Sequence, residues 1–159
     1  DEINNLPKIG ISWISTRLDL GKDKSIKLQD LFPILKNKKL SFVNLQYGDH
    51  KKSINDFNIK NKLNIIDFPK IDKFNDIDKL LALIESLDLV ITVSNTTAHL
   101  AGAIGKKTML LAPTNRAQLF YWMLLKNKTP WYPSIQIFKK NKDWKRALID
   151  IEVILNKIF

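Results

Sequence analysis

The chain has 159 residues, 45% of them hydrophobic; that is enough to build one globular core, and it excludes a disordered segment. There is no cysteine, which removes disulfides, thiolate catalysis and cysteine–zinc sites and fits a reducing, cytoplasmic location. The net charge of +10 rests on 26 basic residues of which only Arg17, Arg116 and Arg146 are arginine; the lysines are spread along the chain and read as a solvated surface that helps an anionic ligand approach.

No apolar run reaches the length of a membrane span, and the polar opening "DEINNLPK" is not a signal peptide. The chain starts on Asp1 without a methionine and reads as a piece of a longer chain or as a processed one. Its first predicted element is a strand, "KIGISWI" (8–14), followed by a polar loop, "STRLDLGKDKS". "LQDLFPILKN" (28–37) reads as a helix with Pro33 as a flaw in it. "SFVNLQ" (41–46) is a second strand, "DHKKSINDFNIKN" a polar connection or short helix, and "LNII" (63–66) a short third strand.

"DIDKLLALIESL" (76–87) carries Ile77, Leu80, Leu81, Ile84 and Leu87 at helical spacing. "LVITV" (89–93) is a fourth strand. "TTAHLAGAI" is a helix of about two turns closed by Gly105. "TMLLA" (108–112) is a fifth strand, "RAQLFYWMLL" a helix and "IQIF" (135–138) a last strand. "DWKRALIDIEVILNKIF" (143–159) is an amphipathic helix with Asp143 as its N-cap.

Six strands alternating with helices predict an α/β fold, a doubly wound parallel sheet in a single domain over 1–159. With strand order 3-2-1-4-5-6 the order reverses between strands one and four, and ligands bind at the carboxyl ends there. The turn after strand four is "SNTTAH" (94–99). Asn95 or Thr96 can cap the helix, leaving backbone N–H groups and the helix dipole facing outward. The hydroxyls of Thr96 and Thr97 and the ring of His99 add donors, and Ala101, Gly102 and Ala103 allow close packing on the sheet. Together these make a seat for a phosphate or diphosphate. A plainer reading stands beside it, in which Ser94 to Thr96 only cap a helix and His99 is a packed side chain. For the aromatic group Phe120, Tyr121, Trp122, Trp131 and Tyr132, packing in the core or at an interface is preferred to stacking on a base.

No G-x-G-x-x-G, G-x-x-x-x-G-K-[ST] or G-x-S-x-G pattern occurs, and His50 and His99 lie too far apart in sequence to suggest a metal site. A bound metal or cofactor is not expected.

"LDLVITVSNTTAHLAGAIGKKTMLLAP" resembles the C-terminal, donor-binding half of GT-B glycosyltransferases of the heptosyltransferase-like group (glycosyltransferase family 9), especially the bacterial forms attached to tetratricopeptide repeats. "IGISW", "KSIKL" (24–28), "FVNLQYG", "TPWYPSIQIF" (129–138) and Trp144 match in the same order, so the resemblance spans nearly the whole chain. Asn95 stands where the family usually has Asp, Ser15 replaces a usual Gly, and Leu119, Phe120 and Tyr121 replace a more polar "DWR".

The resemblance implies a Rossmann-like domain that binds a nucleotide-diphosphate sugar as donor substrate. Asn95, Thr96, Thr97, His99, Lys24 and Ser25 would hold the diphosphate, and Gln46, Pro113 and Asn115 would lie near the nucleoside. The acceptor domain, and usually the general base, would come from a missing N-terminal half, so the chain alone would bind a nucleotide without transferring sugar efficiently. Two other readings are open: a degenerate nucleotide- or partner-binding module of the same fold, and a basic domain that binds nucleic acid. No recognition motif supports a specific nucleic-acid partner.

Overall fold

The computed structural model describes residues 5–122 and 127–159. Six parallel strands form one sheet in the order β3-β2-β1-β4-β5-β6. They are β1 (Lys8–Ser12), β2 (Ser41–Asn44), β3 (Ile65–Ile66), β4 (Leu89–Val93), β5 (Thr108–Ala112) and β6 (Ile135–Lys139). This is the doubly wound order expected from the sequence. β1 pairs with β2 on one side and with β4 on the other, Ile9 facing Leu89 and Ser12 facing Thr92, so the reversal of strand order falls between β1 and β4.

The strand side chains divide the core in two. Ile9, Ile11, Phe42, Leu89, Ile91, Val93, Met109 and Leu111 face one layer, packed against α2 (Phe32–Leu35), α3 (Lys51–Asn61) and α6 (Lys145–Ile158). Val43, Val90, Leu110 and Ile137 point the other way, toward α4 (Ile77–Glu85) and α5 (Thr96–Ala103). Alternation that buries both faces is what a parallel sheet with helices on each side requires.

Several boundaries differ from the predicted ones for local reasons. The segment 28–37 is a 3-10 turn over Leu28–Leu31 followed by α2, because Pro33 lacks an N–H and is accepted only in the first turn of a new helix. The polar connection 51–61 is a full helix, α3, anchored by Ile54 and Phe57 alone. The loop after β1 contains a one-turn helix, α1 (Gly21–Lys24), that no apolar spacing announces. Asp76 caps α4 as a side-chain acceptor for the Lys79 N–H. Asp143 lies one residue outside the cap position of α6, which Trp144 occupies, and accepts the Lys145 N–H instead. Of the helix expected over "RAQLFYWMLL", residues 116–119 are turn and loop and Phe120–Trp122 a 3-10 turn, which corrects the expectation there; 123–125 lie outside the described residues. Among the described residues no helix is long and apolar enough to cross a membrane.

Candidate functional site

The turn after β4 sits at the strand-order reversal, and each of its residues has a distinct task. Ser94 is buried, and its Oγ accepts a hydrogen bond of 2.9 Å from the Trp122 indole N–H. Asn95 occupies the cap position of α5, but its side chain makes no cap hydrogen bond. Its amide turns back toward β1, Nδ2 donating to Ser12 Oγ at 2.8 Å and to the Ile14 carbonyl at 3.1 Å, while Oδ1 accepts from Thr92 Oγ1 at 3.1 Å. Of the two expected cap candidates, Asn95 and Thr96, Asn95 holds the position, while its side chain ties the two loops of the crevice together. Both donors are needed for that, which a carboxylate lacks.

Gln46 completes this tie from the other side of β1. Its Oε1 accepts from Ser12 Oγ (3.0 Å), the Trp13 N–H (2.9 Å) and the Ile14 N–H (2.8 Å). Its Nε2 donates to the Tyr47 carbonyl at 3.1 Å, and the residue is 1% exposed. Gln46 therefore fixes the backbone of the β1 loop by its own side chain. Ser25 closes the same loop, its Oγ donating to the Gly21 carbonyl at 2.7 Å and accepting from the Ser15 N–H at 3.0 Å. A Cβ at Gly21 would lie 2.3 Å from the Ser15 carbonyl oxygen, so the clasp requires glycine there.

Against this frame the first turn of α5 is open. Thr96 is exposed, and no acceptor for the Thr96 and Thr97 N–H groups stands among the described residues. Thr97 Oγ1 is buried without a hydrogen-bond partner. Lys24, from α1, is 3% exposed, with no carboxylate within ion-pair distance among the described residues. Burial lowers its pKa, Arg17 adding repulsion and Asp19 opposing it. Lys24 is close enough to act on His99, whose pKa is lowered first by burial and then by the Lys24 charge. The His99 ring is packed among Tyr121, Trp122 and Tyr132 at centroid distances of 4.9, 5.0 and 5.7 Å, with Nδ1 3.1 Å from the Tyr132 hydroxyl.

The structure thus brings Lys24, Ser25, Asn95, Thr96, Thr97 and His99 to one end of the sheet. Pro113 and Asn115 follow β5 on the far side of β4; Pro113 is buried and Asn115 exposed. The small residues of α5 divide their work differently from the expectation: Ala101 is buried on the sheet, Gly102 makes room for the Tyr132 ring, and Ala103 is exposed. Of the aromatic group, Trp122 is fully buried, whereas Phe120 and Trp131 are exposed and meet edge to face at 5.8 Å.

Sequence reading missed a cavity of about 340 Å³ beyond the ends of β2 and β3, beside Gln46. Tyr47, Asp67 and Phe74 line it. Burial pushes the Asp67 carboxyl up, but hydrogen bonds from Lys73 and Asn44 outweigh this and hold it below the usual range. Only the acidic residue at the end of β3 offered a signal in sequence, because the loop that carries Phe74 has no periodicity. Among the described residues no group of three or more His, Asp or Glu side chains stands together as a metal site.

No family model matches the chain. Protein FlbA of Caulobacter vibrioides is 34% identical over 134 residues, which is 83% of this chain and 22% of FlbA. The structure is similar to E. coli heptosyltransferase WaaC with ADP-2-deoxy-2-fluoro heptose (TM-score 0.64, 11% identity) and to the same enzyme with ADP (TM-score 0.62, 11% identity). Each match covers 97% of this chain and 46% of the heptosyltransferase. The chain thus spans less than half the length of that structure and under a quarter of FlbA. At this identity the likeness is one of fold: the six-stranded parallel sheet with its helices matches the Rossmann-like GT-B architecture of a heptosyltransferase.

Proposed function

We propose that the chain is the donor-binding domain of a GT-B glycosyltransferase, taking a nucleotide-diphosphate sugar whose sugar passes to an acceptor hydroxyl. The observation that carries this reading is the buried Lys24, without a carboxylate partner among the described residues, placed beside the open N-terminus of α5. A buried cation without a counter-ion is costly, and a diphosphate at the helix end would neutralise it. The Thr96 and Thr97 N–H groups and the Thr96 hydroxyl would donate to the phosphate oxygens. With the Tyr132 hydroxyl donating to Nδ1, the neutral His99 ring keeps a proton on Nε2 for the same oxygens. These groups favour the departing diphosphate, because negative charge grows on it as the sugar bond breaks. The nucleoside belongs in the cavity beside Gln46, against the Tyr47 and Phe74 rings, with the Asp67 carboxylate within the same walls; Pro113 and Asn115 follow β5 and are not part of that lining. The acceptor site and general base belong to another part of a longer protein, so this chain binds donor without efficient transfer.

A thermal-shift panel of ADP, UDP, GDP and CMP tests the reading. One nucleotide diphosphate at about a hundred times its Kd is expected to add roughly 2.7 kcal/mol of stability. Lys24→Met and His99→Ala are expected to reduce that gain without abolishing the fold. A flat response to every nucleotide would refute the proposal. A second reading, a non-catalytic module that keeps only the nucleotide site, is favoured by the commitment of Asn95 to structural partners. Nucleotide binding by the full parent protein with no sugar transfer would support it.

A further inference from the structure

The densest run of positive charge, Lys139-Lys140-Asn141-Lys142-Asp143-Trp144-Lys145-Arg146, holds five cations in eight residues. It joins the end of β6 to the first turn of α6 and so lies on the same edge of the sheet as the start of α5. The run is built in. The Lys140 N–H donates to the Ala112 carbonyl at 2.9 Å, and the Lys140 carbonyl accepts from Thr114 Oγ1 at 2.6 Å. The Lys140 ammonium lies 5.1 Å above the ring of Trp144, itself buried and hydrogen-bonded to the Ser25 carbonyl at 3.3 Å.

Among the described residues, Lys139, Lys140, Lys142 and Lys145 have no carboxylate within ion-pair distance, while Arg146 is paired with Asp150 at 3.1 Å. The other end of the same edge, after β2 and β3, carries Asp49, Asp67 and Asp72. We propose that the β6–α6 rim is a docking surface for a carboxylate-rich segment of a protein partner.

The chemistry favours carboxylates over nucleic acid. Four of the five cations are lysines, point charges without the planar fork that suits phosphate, and the one arginine is engaged by Asp150. The aromatic ring within the run is buried, so no platform is left for stacking bases. The inference is independent of the nucleotide reading, because none of these residues belongs to the proposed donor site.

The test is a titration of a fluorescent poly-glutamate peptide of about twelve residues, at low and at physiological salt, with an oligouridine of the same length as rival. The rim variant K139E/K140E/K142E/K145E is compared with K38E/K39E/K60E/K107E, which removes the same charge from the opposite edge of the sheet. The wild-type chain is expected to bind poly-glutamate with an affinity that falls as salt rises. The rim variant is expected to lose at least about tenfold and the control less than about threefold. A rim set substituted with glutamine serves if charge reversal unfolds the chain, as read by circular dichroism. No binding by the wild type, equal losses in the two variants, or tighter oligouridine binding lost with the rim would each overturn the proposal.

Discussion

At Asn95 one amide group replaces what is commonly a carboxylate in the family the sequence resembles, and its hydrogen bonds show what the change does. Nδ2 donates both to a hydroxyl and to a backbone carbonyl, so an Asn95→Asp substitution would place a charged acceptor against the Ile14 carbonyl. A buried group left unpaired costs about 1–3 kcal/mol. Asn95→Asp is therefore expected to lower the unfolding free energy, read from urea titration, by that amount at neutral pH. The deficit should shrink as pH falls toward 4, because the protonated acid regains one donor. A deficit that does not change with pH would contradict this account.

His99 gives a second prediction with a definite sign. Its folded-state pKa lies below the ordinary value of 6.5, so the unfolded chain binds the proton first. Stability from this group is complete above pH 6.5 and is lost as pH falls through that value toward the folded pKa. His99→Phe is expected to flatten the fall in melting temperature between pH 7.5 and 5.5. The polarity of "SNTTAH" marked this turn in the sequence. Which residues face inward was not legible, since Ser94, Asn95 and Gln46 find their partners across 28 to 83 positions of chain.

At the scale of elements, α5 is fitted to a neighbour on its outer side as well as to the sheet. A Cβ at Gly102 would stand 2.5 Å from Cγ of Tyr132, on the ring that holds His99. Gly102→Ala gains up to about 1 kcal/mol of helix propensity, and overpacking costs about 1–3 kcal/mol. The expected result is a net loss of stability with a shifted His99 ring resonance, read by denaturant titration and NMR. A more stable variant with an unmoved ring would show that Tyr132 can swing away.

Strands were the more legible elements, because β1, β4 and β5 are short apolar runs whose burial on both faces shows in composition. Helices without an apolar stripe were not. α3 rests on Ile54 and Phe57, and α1 forms because Gly21 and Ser25 close a turn rather than because its sequence favours a helix.

At the scale of the molecule, the alternation of strands and helices pointed to a doubly wound parallel sheet, and the order supposed for it, 3-2-1-4-5-6, is the one the structure has. The same architecture predicts how the chain unfolds. Ile151 of α6 and Ile84 of α4 are both fully buried, on opposite faces of the sheet. Each packs on strands whose alternate side chains serve the other layer, such as Ile91 and Val90 of β4. Loss of either layer exposes one face of every central strand, so neither layer has a stable partner once the other is gone.

Ile151→Ala and Ile84→Ala are each expected to cost about 2–5 kcal/mol, the range for truncating a buried isoleucine. Both should move one urea transition to lower midpoint with an unchanged slope, and tryptophan fluorescence should coincide with circular dichroism. If Ile84→Ala instead splits the transition while Ile151→Ala shifts only its later phase, the two layers fold separately, and the proposed donor site at their shared edge would rest on α5 alone.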